Sequence, residues 1–490
     1  MPDATRLAAV ILQTFVLGVL ATSAVRALAR RRGWLAPPRP DRWHREPTAL
    51  HGGVGIFTAF AAGLLWFVPW SPFSASLLAL TAVMFTTGVV DDSRDIRPQT
   101  KVVLQITGGL LLYAADFHFN DAFAWWLDMT LVVFWVVAIT NAMNLLDNMN
   151  GLAAGTAVIA GVSRLLLFQQ TGNADGALAS AVLVGAVLGF LVFNFPRASI
   201  FMGDGGSFTI GFALAALNLT SGQAYSKSLF SIFVFPVLAL ALPIFDTAFV
   251  STVRYFSGRA ISQGGRDHTS HRLVAIGLSE TTAVVILWTI SAIGGVMAYL
   301  LYYAGFSYAL FGLGLLLLTL ALFGIVLARV RVYPEGAEPD VRSGFALPGE
   351  LRYKRQILWV LVDGVTVLLT LGLAARLGLP STPGLGAAEW QPPPDLPIAV
   401  AAVILGLFTA GLYRWDWARF TPRLVLLIAA GVAFGLVATR IARVVGSIGD
   451  PWPAAAVGLA ASLVIAGVSG TRLVVRAVDR WLLRRGDSRG

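Results

Sequence analysis

Nearly every residue of this chain that could do chemistry falls in four short polar islands: Asp91-Asp92, Asn141 to Gly151, Phe201 to Ser207, and His268 to Arg272. Two adjacent carboxylates at the end of an apolar run can offer hard oxygen ligands to a divalent cation, or one can act as a base. They can equally be a solvated loop pair. Lys101 opens the next apolar run. In the second island Asn141, Asn144 and Asp147 recur every third residue, which places them roughly on one face of a helix. Such a stripe on an apolar span must face a cavity or a partner helix. The third island, Phe201-Met202-Gly203-Asp204-Gly205-Gly206-Ser207, directly precedes an apolar helix. Its glycines would let backbone N–H groups approach a phosphate, with Asp204 holding Mg2+ against it, though a plain turn also accounts for them. The fourth island carries His268, His271 and Arg272, with Arg254, Arg259 and Arg266 upstream, a cationic set suited to a diphosphate. Two histidines three residues apart, with no third nitrogen or thiolate ligand, argue against zinc. Taken together, the islands describe a site for an anionic, Mg2+-bound, phosphate-bearing substrate. Phosphoryl transfer there needs positioning and charge neutralisation more than covalent chemistry.

The elements that must position these islands are membrane helices. The 490 residues are 57% hydrophobic and 13% charged. A span needs roughly 20 apolar residues, and about fifteen such segments can be read. Continuous runs of that length are helices rather than barrel strands. The expected spans are 7–25, 53–70, 75–90, 102–117, 124–143, 152–170, 177–193, 208–222, 229–250, 281–303, 308–328, 357–377, 397–413, 422–442 and 453–470. The fold class is therefore all-α and polytopic, with about 11 spans in a first unit and about 4 in a second. Residues 7–25 lack a basic flank and a small-residue cleavage site, so they read as a retained span. The absence of cysteine excludes disulfides and thiolate metal sites.

Counting spans from an outside N-terminus puts all four islands on the same side as Arg26, Arg30, Arg31, Arg32, Arg39, Arg42 and Arg45. The outer loops near 71–74, 118–123, 171–176 and 304–307 hold no Lys or Arg, and Lys227 is the single basic residue assigned to an outer loop of the first unit. By the positive-inside rule the islands face the cytoplasm across the plasma membrane, and the net charge of +10 is a topological signal, with no nucleic-acid partner implied. Arg164, inside the sixth span, reads as an interhelical hydrogen-bond donor, and His118, on the outer side, is given no role. A polar stretch from Val332 to Glu350 divides the chain, so the expected domains are 1–330, a linker 331–356, and a four-helix module 357–490 with a basic tail.

At these residues the chain resembles the polyprenyl-phosphate N-acetylhexosamine-1-phosphate transferases. The resemblance spans about residues 1–330 and rests on Asp91-Asp92, the Asn141-x-x-Asn144-x-x-Asp147 run, Phe-Met-Gly-Asp-x-Gly-Ser, and His268-x-x-His271-Arg272. His44, Pro47, Gly52 and Gly53 also match the family's His…Pro…Gly-Gly loop. The fourth island is similar to this branch rather than to the phospho-N-acetylmuramoyl-pentapeptide transferases, whose loop carries consecutive histidines. The family implies transfer of a sugar-1-phosphate, typically N-acetylhexosamine-1-phosphate from a UDP-sugar such as UDP-N-acetylglucosamine, to undecaprenyl phosphate. UMP is released, in the first membrane step of an envelope polysaccharide. Carried over by position, Asp91, Asp92, Asp147 and Asp204 are the catalytic set, with Asp204 and Asp147 on Mg2+ (Mn2+ as its substitute). One of Asp91 and Asp92 would orient or deprotonate the lipid phosphate. Lys101, Asn141, Asn144, Asn150, Phe201, His268, His271 and Arg272 would bind substrate. Asn148 stands where many relatives have Gly, and Asn150 where many have a second Asp, a departure that bears on base or sugar choice.

Gly411-Leu-Tyr-Arg414-Trp-Asp-Trp417-Ala-Arg419 resembles a loop in the membrane anchor of polysaccharide-biosynthesis nucleotide-sugar dehydratases; an interfacial aromatic-basic loop is the simpler account. Its partners would be membrane lipids, downstream glycosyltransferases or a second copy of the chain. A transporter of lipid or sugar phosphates is the rival function. It would call for ionisable groups near mid-bilayer and internal repeats, whereas the carboxylates here cluster at helix ends and no internal repeat is found.

Overall fold

The computed structural model describes residues 2–37, 47–94, 96–120, 123–219, 235–256, 259, 265–302, scattered positions in 316–332 and 363–371, then 396–410, 412, 422–446 and 454–486. His44, the Arg39 to Arg45 run, Lys227, the Arg414 to Arg419 loop, and most of the 308–328 span, the 331–356 linker and the 357–377 span lie outside these residues.

The chain forms two compact units, Met1–Arg342 and Ser343–Gly490. In the first, the helices are α1 (Ala4–Arg32), α2 (Gly52–Phe67), α3 (Pro72–Arg94), α4 (Pro98–Ala114), α5 (Trp125–Leu146), α6 (Leu152–Thr171), α7 (Ala174–Asn194), α8 (Gly203–Leu219), α9 (Ala241–Phe256), α10 (Thr269–Ala275) and α11 (Glu280–Tyr302). Among the described residues six helices are long and apolar enough to cross a membrane: α1, α3, α5, α6, α7 and the Glu280–Tyr299 part of α11. The protein is an all-α, multi-pass membrane protein. The only sheet among the described residues is a ribbon of β1 (Leu35–Ala36) and β2 (Thr48–Ala49), paired antiparallel.

Local chemistry explains where the helices begin and end. Asp3 caps α1, its Oδ1 accepting from the Arg6 N–H at 2.7 Å. Arg30, Arg31 and Arg32 complement the dipole in the last turn, and left-handed Gly33 stops it. Antiparallel succession then brings the C-terminal ends of α1, α3, α5 and α7 to the same side as the N-terminal ends of α2, α4, α6 and α8. All four islands meet at that end. Exposed Trp66, Trp70, Trp125 and Trp126 ring the opposite end, as an aromatic belt does at a membrane interface.

The core lies around α6, α7 and α8; every residue of α8 from Gly205 to Leu219 is buried. Within it Arg164 donates from Nε to the Leu217 carbonyl at 2.8 Å and stacks over Phe168, the interhelical role its position implies. Two boundaries differ from the sequence reading. Gly203 to Ser207 is the first turn of α8 rather than a loop before it, and Asp91-Asp92 lie in the last turn of α3. Glycine's weak helix propensity is overridden because neighbouring helices come too close for any side chain. A Cβ on Gly53 would lie 2.1 Å from the Gly206 nitrogen, and one on Gly88 2.3 Å from the Asp204 carbonyl oxygen.

The second unit contains α12 (Leu396–Thr409), α13 (Pro422–Gly446) and α14 (Ala454–Gly486) around a core that includes Val403, Leu407, Ile428, Val432 and Val464. A buried fork of Arg472 on Asp363, at 2.6 and 2.7 Å, crosses it.

The packing at α8 predicts that Gly53→Val lowers stability by about 3 kcal/mol or more, since an overpacked backbone contact cannot relax by a rotamer change. Gly458, around which a Cβ would meet nothing within 4 Å, is the control. Thermal unfolding in detergent should show a large loss for Gly53→Val and none for Gly458→Val.

Candidate active site

A cavity of about 670 Å³ opens where the helix ends meet. Asp92, Asp147 and Asp204 reach it from α3, the end of α5 and the start of α8. Asn148, Asn150 and Asn194 line it with amides, and Phe201 adds an aromatic face. Arg266 and His271 stand on the basic side, while Leu35, Ala36 and Leu50 bring apolar surface from the ribbon and the loop after it.

The acidic side is built on the start of α8. Asp92 accepts from the Asp204 N–H at 2.8 Å and the Gly205 N–H at 3.2 Å, so α3 supplies the cap of α8. Gly203 has φ 72, the left-handed conformation, and a Cβ there would lie 2.6 Å from an Asp92 oxygen; only glycine suits both conditions. The segment before α8 is pinned by backbone bonds from Phe201 N–H to the Ala49 carbonyl, Gly52 N–H to the Phe201 carbonyl and Gly53 N–H to the Met202 carbonyl, each 2.8 Å. Asp204 accepts from the Asn144 amide at 2.9 Å and faces the Lys101 ammonium at 3.4 Å. Lys101 also pairs closely with Asp91, which is buried and accepts the Ile96 N–H at 2.8 Å.

Asp147 sits just past the end of α5. Burial, then the charges of Asp204 and Asp92, push its carboxyl up to about 7. No hydrogen-bond donor among the described residues reaches this carboxylate.

On the basic side the 265–272 segment is braced by carboxylates that the sequence reading missed. Asp246 of α9 binds His268 Nδ1 at 2.7 Å and the Thr269 N–H and hydroxyl at 2.9 and 2.7 Å. Asp267 is held by Arg254 at 3.0 Å and Arg259 at 2.7 Å. Burial, then the charges of His268 and Arg266, hold the His271 imidazole down at about 4. It is therefore a neutral hydrogen-bonding group, and the positive charge of this wall comes from Arg266.

The expected site residues thus separate. Asp92, Asp147, Asn150, Phe201, Asp204 and His271 line the cavity; Asp91, Lys101 and Asn144 stand directly behind them. Asn141 is turned to Gln105 of α4, its amide donating to the Gln105 carbonyl oxygen at 2.5 Å, and braces two helices rather than meeting the cavity. His268 is committed to Asp246, and Arg272 bonds the carbonyls of Asp267, Leu327, Ala328 and Val330, so neither joins the cavity wall. The reason is burial: in this segment the polar side chains satisfy neighbouring backbone and carboxylate groups first. Asn194, also missed, accepts the Gly151 N–H at 2.7 Å and donates to the Ile200 carbonyl at 3.0 Å, tying the second island to the third. Its only sequence signal is its place at a helix end two residues before a proline.

Residues 74–222 match the family model described as glycosyl transferase family 4. The chain is 31% identical over 323 residues to a probable undecaprenyl-phosphate N-acetylglucosaminyl 1-phosphate transferase of Bacillus subtilis, covering 64% of this chain and 88% of that protein. It is 32% identical over 322 residues to a decaprenyl-phosphate N-acetylglucosaminephosphotransferase of Mycobacterium tuberculosis, covering 58% and 79%. A phospho-N-acetylmuramoyl-pentapeptide-transferase of Limosilactobacillus reuteri is 27% identical over 294 residues, covering 55% and 88%.

The raised Asp147 carboxyl gives a pH prediction. Because its folded value lies above the unfolded one near ~3.9, its favourable contribution is complete below about pH 4 and is lost as pH rises through about 7. In metal-free buffer Asp147→Asn should therefore unfold at higher temperature than the parent at pH 8, by at most about 4 kcal/mol, with the gap closing toward pH 5. An equal gap at both pH values would show that Asp147 does not carry the raised value.

Proposed function

We propose, since the chain belongs to glycosyl transferase family 4 in its polyprenyl-phosphate N-acetylhexosamine-1-phosphate transferase branch, that this cavity transfers N-acetylhexosamine-1-phosphate from a UDP-sugar to polyprenyl phosphate. The products are polyprenyl-diphosphate sugar and UMP, in the first membrane step of a cell-envelope glycan. The observation that carries this is the convergence of Asp92, Asp147 and Asp204 on one cavity, with Lys101 behind them and Arg266 facing them.

The donor set suits Mg2+, with Mn2+ as its substitute. Among the described residues no three acidic or histidine side chains come together to hold a metal by themselves. Two carboxylates completed by water and substrate phosphate are what Mg2+ usually takes. Asp147, buried beside like charges with no donor on its carboxylate, fits a cation, and Asp204 lies within the same wall. Bound there, Mg2+ would neutralise charge on the diphosphate.

The chain's own residues account for the remaining requirements. A lipid phosphate monoester, with a second pKa near ~6, is largely dianionic at neutral pH. It can attack the sugar-linked phosphorus directly, forming one P–O bond as the bond to the UMP oxygen breaks. Of the two adjacent carboxylates, Asp92 lines the cavity and would orient the incoming phosphate. Asp91 holds Lys101 in place. Asn144 fixes the Asp204 rotamer, Phe201 offers a face for the base, and Arg266 with neutral His271 would contact the diphosphate or the sugar. We assign the chemistry to the first unit. The second, with its basic C-terminal helix, suits anionic headgroups or a partner enzyme.

Two experiments test this. Purified protein given UDP-N-acetylglucosamine, undecaprenyl phosphate and Mg2+ should release UMP, and Asp204→Asn should cut the rate by about a thousandfold, the scale seen when one preorganised electrostatic group is lost. Near-normal turnover by folded Asp204→Asn would refute its assignment. The second concerns sidedness: Arg30 to Arg32 at the site end support a cavity that faces the cytoplasm, by the positive-inside rule. Because the chain has no cysteine, single substitutions Ser93→Cys and Ala275→Cys should react only with cytoplasmic reagent, and Ala124→Cys only with external reagent. The opposite pattern would invert the topology.

A further inference from the structure

The two walls of the cavity are held in different ways. The acidic wall is fixed by backbone contacts around α8. The braces of the basic wall, Asp246 on His268 and Thr269 and Asp267 with Arg254 and Arg259, lie within the α9–α10 region itself. They set the shape of that segment without setting its position over the carboxylates.

A side-chain bond between described residues crosses from one wall to the other. The buried Ser270 hydroxyl donates to Asn148 Oδ1 at 2.6 Å, and the Asn148 amide nitrogen donates to the Leu145 carbonyl at 2.8 Å. Asn148 follows Asp147 directly, and Ser270 precedes His271 directly. The amide is thus oriented at both ends: its nitrogen satisfies a carbonyl left open at the end of α5, so its oxygen must face Ser270. We propose that Asn148 and Ser270 are positioning residues whose hydrogen bond holds the Arg266–His271 wall over the carboxylate end of α5 and so sets the cavity's affinity for the nucleotide sugar. The proposal rests on the transferase reading for its substrate and on geometry for the contact.

Loss of one buried hydrogen bond between two walls that grip a substrate corresponds to about tenfold in affinity. Ser270→Ala and Asn148→Ala should each raise KM for UDP-N-acetylglucosamine by about tenfold while kcat changes by less than about threefold, since uniform binding is what is lost. The double variant should be no worse than either single one, and Ser270→Thr, which keeps the hydroxyl, should restore KM. A parent-like KM in both single variants, or effects that multiply in the double, would overturn the proposal.

A second readout does not depend on turnover. Spin labels on Ser93→Cys and Ala275→Cys, exposed positions on α3 and at the end of α10, should give a narrow distance distribution in the parent and a broader or longer one with Ser270→Ala. An unchanged distribution in folded protein would also overturn it. If the distances shift but the parent releases no UMP, the substrate assignment has failed while the contact between the walls stands.

Discussion

The start of α8 is the point on which the rest of the site depends. A helix amino terminus presents N–H groups with no partner in its own helix, and here it stands in the wall of the cavity, pressed between neighbouring helices. Asp92 resolves this by accepting from the Asp204 and Gly205 N–H groups across an interface. That pairing requires α3 and α8 to touch at backbone distance, hence no side chain at Gly88 or Gly203. It requires α2 on the other flank, hence none at Gly53. Once α8 is seated, Asp204 can point only into the space that Asn144, Lys101 and Asp147 also border. A capping problem and an active-site problem share one solution.

Electrostatics then explains the rest of the acidic wall. Carboxylates gathered near low-dielectric surroundings repel one another, and the wall contains Asp91, Asp92, Asp147 and Asp204. Lys101 offsets part of this by facing both Asp91 and Asp204, and helix-end N–H groups take up Asp92. Asp147 is left without a donor among the described residues, and burial pushes both it and Asp204 up to about 7. The destabilisation is concentrated at the two groups where a divalent cation and a substrate phosphate would relieve it, as expected of a site whose energy is realised on binding rather than on folding.

What could be read in the sequence follows from this division of labour. The apolar runs, the one-sided placement of the islands and the Asp92, Asp147 and Asp204 set were legible, because membrane length and charge are properties of local sequence. The first turn of α8 was not, since its glycines argue for a loop until Gly53 and Gly88 are seen pressed against it. Nor were the commitments of Asn141, His268 and Arg272. Each is a plausible substrate ligand by residue type, and each is taken by Gln105, Asp246 or the 327–330 carbonyls, partners 22 to 58 residues away. Asp246 itself lies within an apolar run, where a single carboxylate gives no hint of the histidine it will meet.

The two walls also differ in how readily they could change. Gly53 and Gly88 fix the acidic wall through backbone approach, where even one added carbon collides, and Gly203 through its left-handed conformation against the Asp92 carboxylate. Substitution there is answered by loss of packing, so the phosphoryl-transfer geometry has little freedom. The basic wall is set by side-chain hydrogen bonds among Asp246, Asp267, Asn148 and Ser270. The neutral Asn148–Ser270 bond can be exchanged at the scale of about 1 kcal/mol, whereas breaking a buried pair of Asp246 or Asp267 costs about 3 kcal/mol or more. A chain built this way can vary Asn148, Asn150 and their neighbours in the cavity wall without disturbing the carboxylates that face them.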